Sequence, residues 1–461
     1  MTAHYSRHNT FEPTATSSSL PADRPLEHQT SSKCAATAVH KDWWVIRDNR
    51  PPKPWLRRLG PHLWLAWVVG LIAGSVLLLD HHVLVYAGFI ATAFLATAFI
   101  PDAVESPAPY FFHLAVPFFV VKGLHEGGAW TLIAFYWAFF FLPAADFVVG
   151  VDTSNKPEDE YRTLRHRFGF KAALWIFVPA QLAILGWACH VVNIVDLTAL
   201  EFFGFAVSVG VYTGGLGITV SHELVHKTNR LEQWLGRIVC VVISYGHFYV
   251  EHNRGHHKLV ATELDPATAR FGESIYAFLP RCVWGSLTSA WRLEVDKCRD
   301  RNLPFWCNEM LWYSTASFFL CGALAAIFGP KAVPLFLAQS FIGILLFETV
   351  NYVEHYGLER QEKEGKSEPV GFEHSWDAPY RLTNMVLFKL QRHGDHHVNS
   401  TRRYQTLRAE PCRSPQLPMG YPGCILMALC PPLWMAIMNK RVLQMRNKYQ
   451  EGRKWRHGPR S

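Results

Sequence analysis

The chain is short of charge. Asp, Glu, Lys and Arg make up 18% of its 461 residues, against about 25% in ordinary soluble domains. It contains no Walker loop and no GxGxxG run, so no bound nucleotide is expected. Its ten cysteines are scattered and none forms a CxxC pair, which argues against a disulfide framework, a zinc ribbon or a fused rubredoxin-type module. No internal repeat is visible. The first 52 residues are polar, rich in Ser, Thr, Ala and His, and lack the apolar core of a signal peptide. They read as a disordered tail, with one membrane domain over 53–461.

What the chain has instead is grease in blocks. Hydrophobic residues reach 49%, gathered at Leu63–Leu79, Val83–Ile100, Ala129–Val149, Ala172–Ile194, Phe202–Val220, Leu311–Gly329 and Val333–Val350. A weaker block, Tyr110–Val121, is interrupted by Pro117. A bilayer core of about 30 Å takes about 20 apolar helical residues, and several blocks are that long. The expected fold is all-α, a polytopic transmembrane bundle of six to eight spans within 63–350, six without the hairpin at about 83–121 and eight with it.

Basic residues set the orientation. Arg47, Arg50, Lys53, Arg57 and Arg58 precede the first block, Arg162, Arg165, Arg167 and Lys171 fill a later connection, and 227–301 is rich in Lys and Arg. The positive-inside rule places both termini and these connections in the cytoplasm. The net charge of +8 draws on the ends, including the 438–461 tail. Contact with anionic headgroups is a simpler account of that tail than nucleic acid.

Histidines carry the chemistry. There are 23, and eight fall in three tight clusters: His222 and His226 in SHELVHK; His252, His256 and His257 in EHNRGHH; His393, His396 and His397 in RHGDHH. Residues three and four apart share one face of a helix, so such spacing converges imidazole nitrogens, an arrangement suited to a transition metal. Crowded imidazoles without a metal would repel on protonation. A ninth, His355 in NYVEHYGL, leaves the membrane at the same depth, on the last span. Nine imidazoles exceed the ligands of one ion, so two ions are expected. Donor softness alone leaves zinc, iron, copper and nickel open. Glu223, Glu251, Asp265, Glu354 and Asp395 are candidates to accept N–H bonds from the ligands. The cap holding these boxes covers mainly 221–310 and 351–437.

His222-Glu223-Leu224-Val225-His226 is also literally HExxH, the zinc-protease signature. A protease of that kind needs one further ligand and leaves the two triple-histidine boxes unexplained. A metal transporter would string its histidines along the membrane normal, whereas these cluster beyond span ends.

The ordered set HELVHK, EHNRGHHKLVATELDPATARFGESIYAF, NYVEHYGL and LQRHGDHHVNSTRRYQTL resembles the membrane alkane 1-monooxygenases. FLPAADFVVGVDTSNKPED, HSWD and LPMGYPG add to it, and the likeness runs over about 320 residues, from near Trp130 to near Arg441. That family belongs to the histidine-box superfamily of desaturases and hydroxylases.

The resemblance implies a di-iron enzyme in which the nine histidines above hold two non-haem iron ions. It implies O2 and two electrons, commonly from a rubredoxin, spent on turning a terminal methyl into a primary alcohol. Chemistry agrees: an unactivated C–H bond demands a redox-active centre, and zinc is redox-inert. An n-alkane substrate also demands an apolar tunnel, for which Trp137, Ala138 and Phe141 are candidates. A fatty-acid or alkyl-aromatic hydroxylase or desaturase of the same superfamily is the alternative. The sequence departs from the family pattern in an additional hairpin near 83–121, in its N-terminal tail, in Gly394 and Asp377 where Ser and Asn are common, and in Val398-Asn399.

Overall fold

The computed structural model describes residues 106–456 apart from Glu364, together with scattered positions between 69 and 88. The tail at 1–52 and most of the two expected spans within 63–100 lie outside the described residues. The rest is helical. Its one ladder is a two-residue antiparallel pair, Glu362–Lys363 with Lys366–Ser367.

Among the described residues, five helices are long and apolar enough to cross a membrane: α2 (Gly128–Val149), α3 (Phe168–Ile194), α4 (Ala199–Val225), α7 (Glu309–Phe328) and α8 (Ala332–His355). The block interrupted by Pro117 is helical after all. A 3-10 stretch, Ala108–Ala115, runs into α1 (Val116–Glu126), and Pro117 sits in the first turn of α1, where a missing N–H is harmless. Tyr110 packs on Tyr404 at one end of this segment, and the amide of Gly128 just beyond the other end donates to Glu201 at 2.8 Å. The segment therefore runs the length of the bundle beside α2, although it is not among the five apolar spans.

Direction follows from contacts at the ends. The turn between α3 and α4 meets the turn between α7 and α8, where Lys331 Nζ lies 3.3 Å from Asp196 and the Lys331 amide donates to Asn193 at 3.1 Å. The C-termini of α2, α4 and α8 consequently share the opposite end, where the polar cap sits. α4 and α8 touch backbone to backbone. A Cβ on Gly214 would lie 2.1 Å from Gly343 Cα, the close approach that small residues permit in membrane bundles. The outer faces are apolar: Phe318, Phe319 and Ile327 on α7 and Phe341 on α8 are exposed. Such faces need lipid. The chain is an integral membrane protein.

The cap comprises α5 (Arg230–Val242), a helical segment at 248–259, α6 (Ile275–Asp300), and the short helices α9 (Arg381–Val386), α10 (His393–Val398), α11 (Tyr421–Ala428) and α12 (Pro431–Arg456). Asn229, Ser274 and Asn308 cap α5, α6 and α7 with side-chain oxygens, satisfying amides that have no helical partner. Asp146, near the end of α2, does the same across the fold, accepting the amides of Leu382 and Thr383 at 2.8 and 3.2 Å. One buried carboxylate so pins the cap to a spanning helix.

Candidate metal centre

Nine buried or nearly buried histidines meet where α4 and α8 end, and they sort into two groups. His222, His226, His252, His257 and His396 form one; His256, His355, His393 and His397 form the other. Within each group the ligand atoms lie within 4.8 Å of one another. The boxes do not map onto the groups. Only the first stays whole, and the second and third each divide between the two.

Local geometry explains the division. Residues 252–256 form a π-helical turn, whose i→i+5 bonding brings residues five apart into the relation that residues four apart have in an α-helix. His252 and His257, five apart, therefore join one group while His256 turns to the other. In α10, His393 and His397 are one α-turn apart and share a group, and His396 faces away from them into the first.

The donor set fits metal ions. Nε2 of His252 lies 3.0 Å from Nε2 of His226 and 3.2 Å from that of His257, which is 3.2 Å from that of His396. In the other group, His393 Nε2 lies 3.3 Å from His355 Nε2 and 3.0 Å from His397 Nε2. Metal–nitrogen bonds of about 2.1 Å place neighbouring ligand atoms about 3.0 to 3.4 Å apart. Nε2 of His222 and of His256 are buried without a hydrogen-bond partner, a costly state that a bound cation removes. Burial holds His226, His252, His257, His393, His396 and His397 well below the ordinary histidine value, with neighbouring imidazoles pushing the same way. Neutral imidazoles offer the lone pairs a metal needs.

The five acids differ in role. Asp265 Oδ2 lies 2.9 Å from His256 Nδ1 and accepts the Thr268 hydroxyl at 2.6 Å. Burial pushes its pKa up, and the His256 and Thr268 contacts outweigh it, leaving a carboxyl below its usual range. Glu251 packs against Gly255, Ser289 and the His256 amide, and burial beside Asp265 and Glu348 holds it well above the carboxylate range. Glu354 stands 3.3 Å from His393 Nε2, so it faces the nitrogen aimed at the metal position and not the outer one. Two expectations are corrected. Asp395 accepts no imidazole; it binds Arg402 at 2.8 and 3.0 Å, Asn399 at 2.8 Å and the Arg408 amide at 2.9 Å. Glu223 faces Lys227 at 2.9 Å and the Tyr404 amide at 3.1 Å, tied to the cap and away from any HExxH general-base position. The sequence reading missed the His374 carbonyl, which lies 3.1 Å from His355 Nδ1; HSWD was visible there as a motif without a role.

An apolar cavity lies between the spans. Trp137 and Ala138 line it, joined by Phe139, Val211, Thr219 and Phe347 among others; Phe141 does not. Trp137–Phe141 is a second π turn and Val211–Leu216 a third, and the wider turn sends Phe141 elsewhere. Two packed rings lie between the cavity wall and the histidines: its wall residue Phe347 packs on Phe248 at 4.7 Å, and Phe248 on His252 at 4.5 Å.

Known proteins are similar to this chain in sequence. The fatty acid desaturase family pattern matches residues 197–422, the interval holding all nine histidines. Alkane 1-monooxygenase 2 of Pseudomonas aeruginosa is 41% identical over 322 residues, 68% of this chain and 84% of that protein. Alkane 1-monooxygenase of Acinetobacter baylyi is 38% identical over 308 residues, 66% of this chain and 74% of its own. The hydroxylase component of a xylene/toluene monooxygenase from Pseudomonas putida is 27% identical over 247 residues, covering 53% and 65%. Nine imidazoles in two groups beneath a membrane cavity, and identity at this level over most of the relatives' length, lead to one assignment: the chain belongs to the alkane 1-monooxygenase family.

Proposed function

We propose that the protein hydroxylates the terminal methyl of medium- to long-chain n-alkanes to 1-alkanols, using O2, at two non-haem irons held by the nine histidines. The observation that carries the reading is an apolar cavity between the spans whose wall residue Phe347 is linked by the Phe248 ring to two groups of buried imidazoles. Group one would hold one ion through His222, His226, His252, His257 and His396, and group two the other through His256, His355, His393 and His397. Iron there supplies an oxidant strong enough for an unactivated C–H bond. The chain's own residues do the rest. Trp137, Ala138 and Phe347 exclude water and hold a chain that offers no polar handle. Asp265, by accepting from Nδ1, fixes the tautomer that leaves His256 Nε2 free. The glycine contact holds the ligand-bearing helices α4 and α8 together, and Asp146 ties α9 of the cap to α2.

The membrane domain is read as 53–461, with its catalytic cap mainly over 221–310 and 351–437. The distribution of Lys and Arg supports a cytoplasmic face for that cap, where a rubredoxin or equivalent carrier would deliver electrons in trans. The xylene/toluene relative supports a second reading, hydroxylation of alkyl-aromatic methyls. Product analysis separates them. Purified protein with an electron donor, O2, octane through hexadecane, a fatty acid and an alkylbenzene is expected to yield 1-alkanol as the main product. A benzylic alcohol as the main product establishes the second reading, and a hydroxylated or desaturated fatty acid refutes both.

A further inference from the structure

A buried polar cluster outside the centre has no part in the chemistry above. Glu348 on α8 receives hydrogen bonds from the Tyr245 hydroxyl on one oxygen. The Cys282 thiol at 2.6 Å and the Asn351 amide at 3.1 Å meet the other. Glu348, Tyr245 and Cys282 are all buried. A phenylalanine in place of Tyr245 would fill the ring's space without bringing a carboxyl group into the interior, where an acid is expensive. The backbone is bent to put it there. Ser244 closes α5 at φ 56°, a left-handed conformation, and the Tyr245 amide returns to the Cys240 carbonyl at 2.8 Å.

Tyr245 is joined to the centre by a run of ring contacts, two edge-on and one tilted. Its ring lies 5.6 Å from Phe347, which lies 4.7 Å from Phe248, which lies 4.5 Å from His252. Neither Tyr245 nor Glu348 is among the residues that line the cavity. Burial, with Glu348 beside it, holds the Tyr245 phenol well above its ordinary value, so it keeps a hydrogen to give. Three donors converge on one carboxyl group that is left with only the acceptor's part.

We propose that Tyr245 and Glu348 form a discharge relay that protects the histidine centre when it has been charged with O2 and no substrate occupies the cavity. In the step, one electron passes from Tyr245 through the intervening rings to the oxidised centre, which is reduced by one. The O–H bond breaks, its proton goes to the Glu348 carboxylate, and a neutral tyrosyl radical remains. The electron carrier that feeds hydroxylation then restores the phenol, with Glu348 returning the proton. The inference rests on the iron–oxygen reading of the site.

The test uses iron-loaded protein, reduced and exposed to O2 without alkane, freeze-quenched for electron paramagnetic resonance and assayed afterwards with octane. Wild-type protein is expected to show a tyrosyl signal that Tyr245→Phe lacks and Glu348→Gln diminishes. Tyr245→Phe is expected to keep its iron content and initial hydroxylation rate. In O2 without alkane it should inactivate several-fold faster, with oxygen added to the peptide carrying His252. A signal absent from wild type, or unchanged in Tyr245→Phe, or equal inactivation rates, overturns the proposal; Glu348→Gln decides the matter should Tyr245→Phe not fold. Failure of the functional reading looks different, because wild-type protein would then make no alkanol.

Discussion

His256 and His257 are consecutive residues whose rings, 5.9 Å apart and inclined at 81°, serve different histidine groups. Only His256 has a carboxylate 2.9 Å behind it, that of Asp265. Asp265→Asn is therefore expected to weaken the second group, with metal affinity or turnover falling about 10- to 100-fold. Metal titration followed by turnover checks this, and an Asp265→Asn protein with wild-type iron content and rate contradicts it.

Glu223 and Lys227 are nearly buried and 2.9 Å apart. Removing either partner strands the other's charge, at a cost of about 3–5 kcal/mol. Glu223→Ala is expected to lower the melting temperature in detergent sharply, and Glu223→Ala combined with Lys227→Met to recover much of it. A general base would behave otherwise, with activity lost in both proteins and stability unchanged.

Acid is expected to destabilise the metal-free protein. Six ligand histidines outside the spanning helices have folded values well below 6.5, so below pH 6.5 the unfolded chain binds protons that the folded chain does not. Stability is full above that pH and falls as pH drops through it, by about 1.4 kcal/mol per pH unit for each histidine. Melting temperatures from pH 8 to pH 5.5 test the sign; a rise on acidification contradicts it.

Ala138 lines the cavity and Phe141 does not. Ala138→Trp is expected to shorten the range of alkanes accepted, whereas Phe141→Trp leaves the range unchanged. Relative rates from octane to hexadecane distinguish the two, and an unaltered profile in Ala138→Trp removes that residue from the substrate path.

The histidines were legible because clustered imidazoles at one-turn spacing have few other uses, and the spans because membrane helices must be long and apolar. Their distribution between two groups was not legible, since it depends on a π turn at 252–256 that the α-helical period does not anticipate. The same cause misplaced Phe141. Asp395 misled because sequence proximity to His393 and His396 says nothing of Arg402 and Arg408, which the loop after α10 folds back onto it. Pro117 was read as an interruption, although the first helical turn accepts proline.

The central claim is two ions on nine histidines doing one reaction. Iron per chain and 1-octanol formation, measured together on wild-type protein, His396→Ala and His397→Ala, test it most directly. The account predicts two irons and 1-octanol for wild type. Each variant should lose iron toward one per chain, from different groups, and turnover should fall by more than the roughly 100-fold that an outer partner costs. Full turnover in His396→Ala, or a single exchangeable zinc in active wild-type protein, would contradict it.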